Sequence, residues 1–185
     1  MIARTLAVSI LSFACLTLSL SAQSLSDSAA IKQIHLVTYE QIFSKNCNSW
    51  SVQYREFEKE SQEFVIPITL SFGNTKVRGN LLEDKNIKNV DTYALGFGFD
   101  GYEYMGDGLY FNLGVGVSPG IESIEKQNND KNTKFLIGGI INTGLLYVPF
   151  SDFGLVIGLK ITGRLSNSDV LARSLGFGIE AGFNF

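Results

Sequence analysis

Between Leu175 and Phe185 apolar and non-apolar residues alternate without a break. Leu175, Phe177, Ile179, Ala181, Phe183 and Phe185 take the odd positions, and Gly, Glu and Asn the even ones. A period of two predicts a strand with one oily face and one polar or empty face. The pattern recurs upstream. Tyr93, Leu95, Phe97 and Phe99 oppose Ala94, Gly96, Gly98 and Asp100. Leu109, Phe111, Leu113, Val115 and Val117 oppose Tyr110, Asn112, Gly114, Gly116 and Ser118. Phe153, Leu155, Ile157, Leu159 and Ile161 oppose Gly154, Val156, Gly158, Lys160 and Thr162. Eight strands are predicted, over 33–43, 49–57, 63–73, 91–103, 109–118, 134–147, 153–164 and 173–185. The first two alternate poorly, and 31–43 also fits a short helix. The sixth, with Leu136, Ile137, Ile140 and Ile141, is apolar on both faces, which leaves its facing open.

The connections carry a rhythm. Asn74 to Val90 and Pro119 to Thr133 are long and polar, the first containing Glu83, Asp84, Lys85 and Lys88. The second, fourth and sixth connections are short; one holds the hairpin signal Asp107-Gly108, and another places Pro149 where no ladder bond is needed. Short turns on one side and longer loops on the other fit an all-β fold, an antiparallel eight-stranded transmembrane β-barrel with both termini in the periplasm. An exported soluble sandwich or lipocalin-like barrel would also alternate. It would put charge outside, whereas the non-oily face here is rich in Gly and poor in charge.

The start of the chain reads as an export signal. Arg4 supplies a positive n-region, Leu6 to Leu20 an apolar h-region, and Ser21-Ala22-Gln23 small residues for cleavage after Ser21 or Ala22. Residues 1–22 are thus expected to be a signal peptide, 23–32 a short N-terminal segment and 33–185 the barrel domain. Past residue 22 there is no apolar run long enough for a spanning helix, yet the sequence holds 14 Phe, 7 Tyr and 19 Gly. A net charge of −3 argues against a nucleic-acid partner. After removal of the signal only Cys47 remains, so no internal disulfide is expected.

The signal peptide, the strand count, the short/long rhythm and the terminal aromatic together resemble the small OmpA/OmpX-type outer-membrane barrels. Ala22-Gln23 and Phe64-Val65-Ile66-Pro67-Ile68 look like the outer-membrane β-barrel domain proteins common in Gram-negative bacteria of the Bacteroides type. The resemblance implies a place in the outer membrane. It makes Phe185 and Phe183 the insertion signal, with outer-membrane lipid and the barrel-assembly machinery as partners. No peptidoglycan-binding domain follows Phe185 in this sequence, so a wall-tethering role is not expected.

Motifs for chemistry dissolve on inspection. Gly96-Phe97-Gly98-Phe99-Asp100-Gly101 matches a dinucleotide fingerprint, but it lies inside a strand whose alternate residues are Phe, not between a strand and a helix. His35 is the one histidine; barrel enzymes of the deacylase type place a Ser two residues after the His on one strand face, and here that position is Val37. Glu56, Glu58, Glu60 and Glu63 read as a solvated rim. No CxxC, His pair or HExxH occurs, so no catalytic residue, metal site or cofactor is predicted.

The expected role is a non-enzymatic scaffold whose loops, Asn74 to Val90 and Pro119 to Thr133, meet an external ligand the sequence does not name. The alternative is a narrow pore or a lipid-handling barrel enzyme. Eight strands leave an interior that side chains fill. In the lumen, Arg164 should lie opposite Ser174, Gly158 opposite Glu180 and Lys160 opposite Gly178. Glu180 and Lys160 then become diagonal neighbours on the inward face. A charge inside a closed barrel is costly unless paired or hydrated. Glu180 should therefore pair with Lys160, or with Arg164 or Arg55, or else face trapped water.

Overall fold

The computed structural model describes residues 33–59, 68–83, 85–150 and 152–185. The predicted signal peptide, the 23–32 segment, Phe64 to Pro67, Glu60 and Glu63 lie outside the described residues. Ten strand segments run β1 (Gln33–Ser44), β2 (Cys47–Glu58), β3 (Ile68–Val77), β4 (Ile87–Gly106), β5 (Leu109–Val117), β6 (Gly120–Lys126), β7 (Lys131–Leu136), β8 (Gly138–Tyr147), β9 (Gly154–Ser166) and β10 (Arg173–Asn184), with one helical turn, α1 (Asn80–Glu83), between β3 and β4.

Every pairing is antiparallel, and the sheet closes on itself. Its ring is β1-β2-β3-β4-β5-β8-β9-β10, joined by β3 with β4 and by β1 with β10. β6 continues β5 past Ser118-Pro119, and β7 runs into β8 through Ile137, so the ten segments make eight walls. Closure leaves no free edge around the ring, which is what a strand surrounded by lipid requires. The β4–β5 hairpin turns at Asp107 (φ 50°) and Gly108 (φ 76°), both left-handed, as the tight turn that follows strand twist demands.

The predicted faces hold on β4, β5, β9 and β10. Phe97, Phe99, Leu113, Val115, Leu155, Ile157, Leu159, Phe177 and Ile179 are exposed on the outer surface. Asp100, Asn112, Lys160, Thr162 and Glu180 are buried inside. A helix over 31–43 is ruled out from Gln33 onward, because β1 pairs with both β2 and β10. The open facing of the sixth predicted strand resolves as Leu136 and Leu146 inward, Ile137, Ile141 and Leu145 outward.

Two expectations need correction. About half of Asn74 to Val90 and most of Pro119 to Thr133 are sheet: β3 extends to Val77, β4 starts at Ile87, and β6 and β7 form a hairpin turned by residues 127–130. The lumen is also less polar than its glycines suggested. Ile34, Leu36, Phe57, Tyr102, Tyr110, Leu146, Val148 and Val156 pack as one core at the end that holds Phe185. Val77, Ile87, Val90, Ile124 and Val170 pack as another at the opposite end. The sheet in place of loops and the second core have one cause, whereas around the first core the outer face stays apolar too, with Leu155, Ile157, Tyr147 and Phe183 exposed. Within the lipid band the outer face is apolar and the inner face polar. Beyond it the wall meets water, the alternation inverts, and Lys76, Asp91 and Glu125 face out while Val77, Val90 and Ile124 face in. That inversion reads as a polar loop when only the outward residues are counted.

Closure predicts resistance to detergent. The folded protein in dodecyl sulfate should migrate differently before and after boiling. Identical migration would mean that the ring is open.

Candidate functional site: the lumen and the outer mouth

Between the two apolar cores lies a polar waist. Parity alone aims its residues inward: Thr38 and Glu40 from β1, Ser51, Gln53 and Arg55 from β2, Asp100 and Tyr102 from β4, Lys160 and Arg164 from β9, and Glu180 from β10. The β9–β10 register sets Ser174 opposite Arg164, Gly178 opposite Lys160 and Glu180 opposite Gly158. Gly158 is needed there, because a Cβ would stand 2.6 Å from the Glu180 carboxylate.

Arg55 and Glu180 are fully enclosed, and Arg55 Nη2 lies 2.6 Å from Glu180 Oε2. Lys160 Nζ lies 3.2 Å from the same oxygen. Arg55 also donates to Tyr102 OH at 2.9 Å and to Thr38 Oγ1 at 2.7 Å, and Lys160 donates to Gln53 Oε1 at 3.1 Å. Gln53 and Ser51 donate in turn to Glu40. Arg164 does not join Glu180; it donates to Thr75 at 2.9 Å. Asp100 accepts from Thr69 and from Asn142. Three cations, Arg55, Lys160 and Arg164, thus share the waist with three carboxylates, Glu40, Asp100 and Glu180. Beside them a cavity of about 50 Å³ is lined by Glu40, Gln53, Asp100, Asn142, Lys160 and Arg164. That is room for a few waters, not a channel.

The outer mouth is covered by residues 167–172, which carry Val170 into the outer apolar core. Glu122, buried at the end of the lumen, accepts from Ser168 Oγ. Lys134 reaches Glu122 at 3.6 Å and Asp169 at 2.6 Å, and Lys85 donates to the Asp169 carbonyl. The hydrogen bond from Lys134 holds the Asp169 carboxyl below its ordinary range. No sequence signal flagged this cluster, although Glu122 sits at an inward position once β6 is recognised as a strand.

At the other end His35 faces outward. Its Nδ1 lies 3.1 Å from Tyr54 OH and 3.5 Å from Glu56, and its ring stacks on Phe185 at 5.8 Å. The backbones of His35 and Phe185 exchange two hydrogen bonds. Phe183 stacks on Phe153 at 6.1 Å. Among the described residues no group of three His, Cys, Asp or Glu side chains is placed to hold a metal.

No family model matches the chain, and no curated protein matches it. Solved structures do. The chain is similar to the N-terminal β-barrel domain of OprF from Pseudomonas aeruginosa, at 13% identity and a TM-score of 0.51 over 83% of this chain and 98% of that one. It is similar to Neisserial surface protein A (NspA), at 13% identity and 0.50 over 85% and 98%. Ail, the attachment invasion locus protein of Yersinia pestis, follows at 16% and 0.47 over 83% and 96%. The fold is therefore that of the small eight-stranded outer-membrane barrels.

Removing one partner of a buried ion pair leaves the other charge unpaired and costs about 3–5 kcal/mol. Arg55→Met should approach that cost, since Arg55 makes the shorter contact and also holds Tyr102 and Thr38. Lys160→Met should cost less, because Arg55 still neutralises Glu180. Adding Glu180→Gln to Arg55→Met should restore part of the loss. Urea unfolding in lipid vesicles reads this order; equal stability of all variants would mean that the waist is open to bulk water.

Proposed function

We propose that this protein is an outer-membrane barrel that acts as a non-enzymatic scaffold, displaying its outer hairpins to external partners. The observation that carries the proposal is the sealed lumen. An apolar core blocks each end, and the Arg55–Glu180–Lys160 cluster crosses the waist. A barrel plugged in this way is suited to carrying surfaces rather than solutes. The outer apolar belt supports insertion in lipid, and the fold it shares with the OprF barrel domain and NspA supports the outer membrane as its location. In this reading residues 1–22 are removed on export. Partners meet the protein along the β3–β4 connection, the β6–β7 hairpin and residues 167–172.

In planar bilayers the purified barrel should give no discrete current steps. Regular unitary steps would favour the narrow-pore alternative, and acyl-chain loss from added lipid A by mass spectrometry would favour the enzyme. Phe185 should matter before folding is complete: deleting it should lower the yield of inserted protein several-fold. An undiminished yield would remove its role as an insertion signal.

A further inference from the structure

The outer surface of the barrel is not the same all round. On β9 the outward apolar column runs from Phe153 to Leu165, about 30 Å of height at the usual strand rise and tilt. On β2 the outward column is Asn48, Trp50, Val52, Tyr54 and Glu56, so the apolar stretch is bounded by polar residues about 20 Å apart. At the level of Trp50 its neighbours also turn polar, with Gln41 on β1 and Asn74 on β3, although Phe43 on β1 and Leu175 on β10 remain apolar and exposed above it. On β2 and β3 the apolar surface therefore ends lower than on β9, and the headgroup boundary falls there.

At that boundary the chain concentrates positive charge. Lys45 lies in the β1–β2 turn, Lys76 pairs in register with Asn48, the backbone of Arg78 bonds that of Asn46, and Arg173 shares the outward parity of Leu175 on β10. All four are exposed. Lys76 has a weak partner, Asp91 at 4.0 Å, and remains 65% exposed. Lys45, Arg78 and Arg173 make no ion pair among the described residues; Arg78 reaches only the Asn48 side-chain amide. By contrast, on the β6–β7 side Lys88, Lys131 and Lys134 are neutralised by Glu125, Glu122 and Asp169. Directly below the uncompensated group sit Trp50, Tyr39 and Phe72, with Trp50 stacked on Tyr39 at 6.5 Å and edge-on to Phe72 at 5.9 Å. Aromatic rings of this kind sit at the level of lipid headgroups.

We infer that the outer end of the β10–β1–β2–β3 wall binds the phosphate of an anionic lipid headgroup through Lys45, Lys76, Arg78 and Arg173. This rests on the reading of the barrel as embedded in a membrane. The recognition is ionic, from cations of which Lys45, Arg78 and Arg173 have no ion-pair partner among the described residues and Lys76 only a weak one, and the aromatic cluster supports the acyl chains beneath. Strands lie about 4.8 Å apart, so the four cations spread over about 15 Å of rim, a span that long side chains narrow to one or two headgroups.

The sequence supplies its own probe, because Trp50 is its one tryptophan. The full chain is folded into mixed vesicles, and quenching of Trp50 by brominated phosphatidylglycerol is compared with that by brominated phosphatidylcholine, whose phosphate is masked by choline. Phosphatidylglycerol should be preferred by about tenfold, in keeping with the attraction of a few basic residues to an anionic surface. Replacing Lys45, Lys76, Arg78 and Arg173 together by Gln should bring the ratio to about one. Exchanging Lys for Arg and Arg for Lys at the same four positions should preserve it. So should replacing Lys85, Lys88, Lys126 and Lys131 by Gln, which removes equal charge elsewhere. A wild-type ratio of about one, or equal loss in both Gln sets, overturns the inference. Loss of the preference on adding inorganic phosphate, but not chloride at the same ionic strength, would make this a free-anion site and also overturns it. An unboiled-gel shift on the same samples separates the two levels: no shift refutes the barrel itself, whereas a shift with a ratio of about one refutes only the lipid site.

Discussion

A strand in lipid has no water to satisfy its backbone, so each N–H and C=O must find another strand. The rest of this structure follows from that constraint. β1 must meet β10, and the match of Leu36 with Asn184 through Ser44 with Gly176 achieves it. Once the ring is closed, every side chain has two choices, lipid or lumen, and period-two alternation assigns them. The outward set can be apolar without limit. The inward set must fill a narrow tube without burying unmatched charge. Gly158 yields space to Glu180, and Glu180 in turn accepts from Arg55 and Lys160.

The waist and the plugs divide this work. The polar waist lies behind the apolar belt, where the wall's inner face carries whatever the outer face cannot. The plugs lie near the ends: at the outer one the outer face becomes polar, whereas at the other it stays apolar, with Phe153, Leu155 and Phe183 exposed. At both the inner face forms an ordinary hydrophobic core, as Phe57 against Tyr102 at 4.5 Å illustrates. Residues 167–172 close the outer core because Val170 has an apolar place to go and because Lys134, Lys85 and Glu122 fix the loop around it.

How much of this was legible in the sequence depends on where each residue sits. β4, β5, β9 and β10 cross the full apolar belt, so their alternation is strong, and the register that brings Lys160 near Glu180 could be counted back from the short β9–β10 connection. The participation of Arg55 could be offered only as one of several partners, since β2 carries Cys47, Phe57 and four polar residues on one face and alternates weakly. The outer hairpin of β6 and β7 was hidden for the inverse reason: past Ile121 and Phe135 its outward residues are Ser123, Glu125, Lys131 and Thr133, and its inward apolar residues are few. The Glu122–Ser168–Lys134 cluster joins three segments far apart in sequence, and no spacing rule connects them. Any partner of the outer hairpins would be chosen by surfaces, which leave no motif behind.

The central claim is that odd positions of β9 face lipid and even positions face a filled lumen. Nitroxide labels placed singly from Leu155 to Thr162, in a Cys47→Ala background within lipid vesicles, test it directly through their accessibility to oxygen, which concentrates in lipid. The account predicts a period of two, with maxima at Leu155, Ile157, Leu159 and Ile161 and minima at Val156, Gly158, Lys160 and Thr162. A flat profile, or maxima at the even positions, would contradict it.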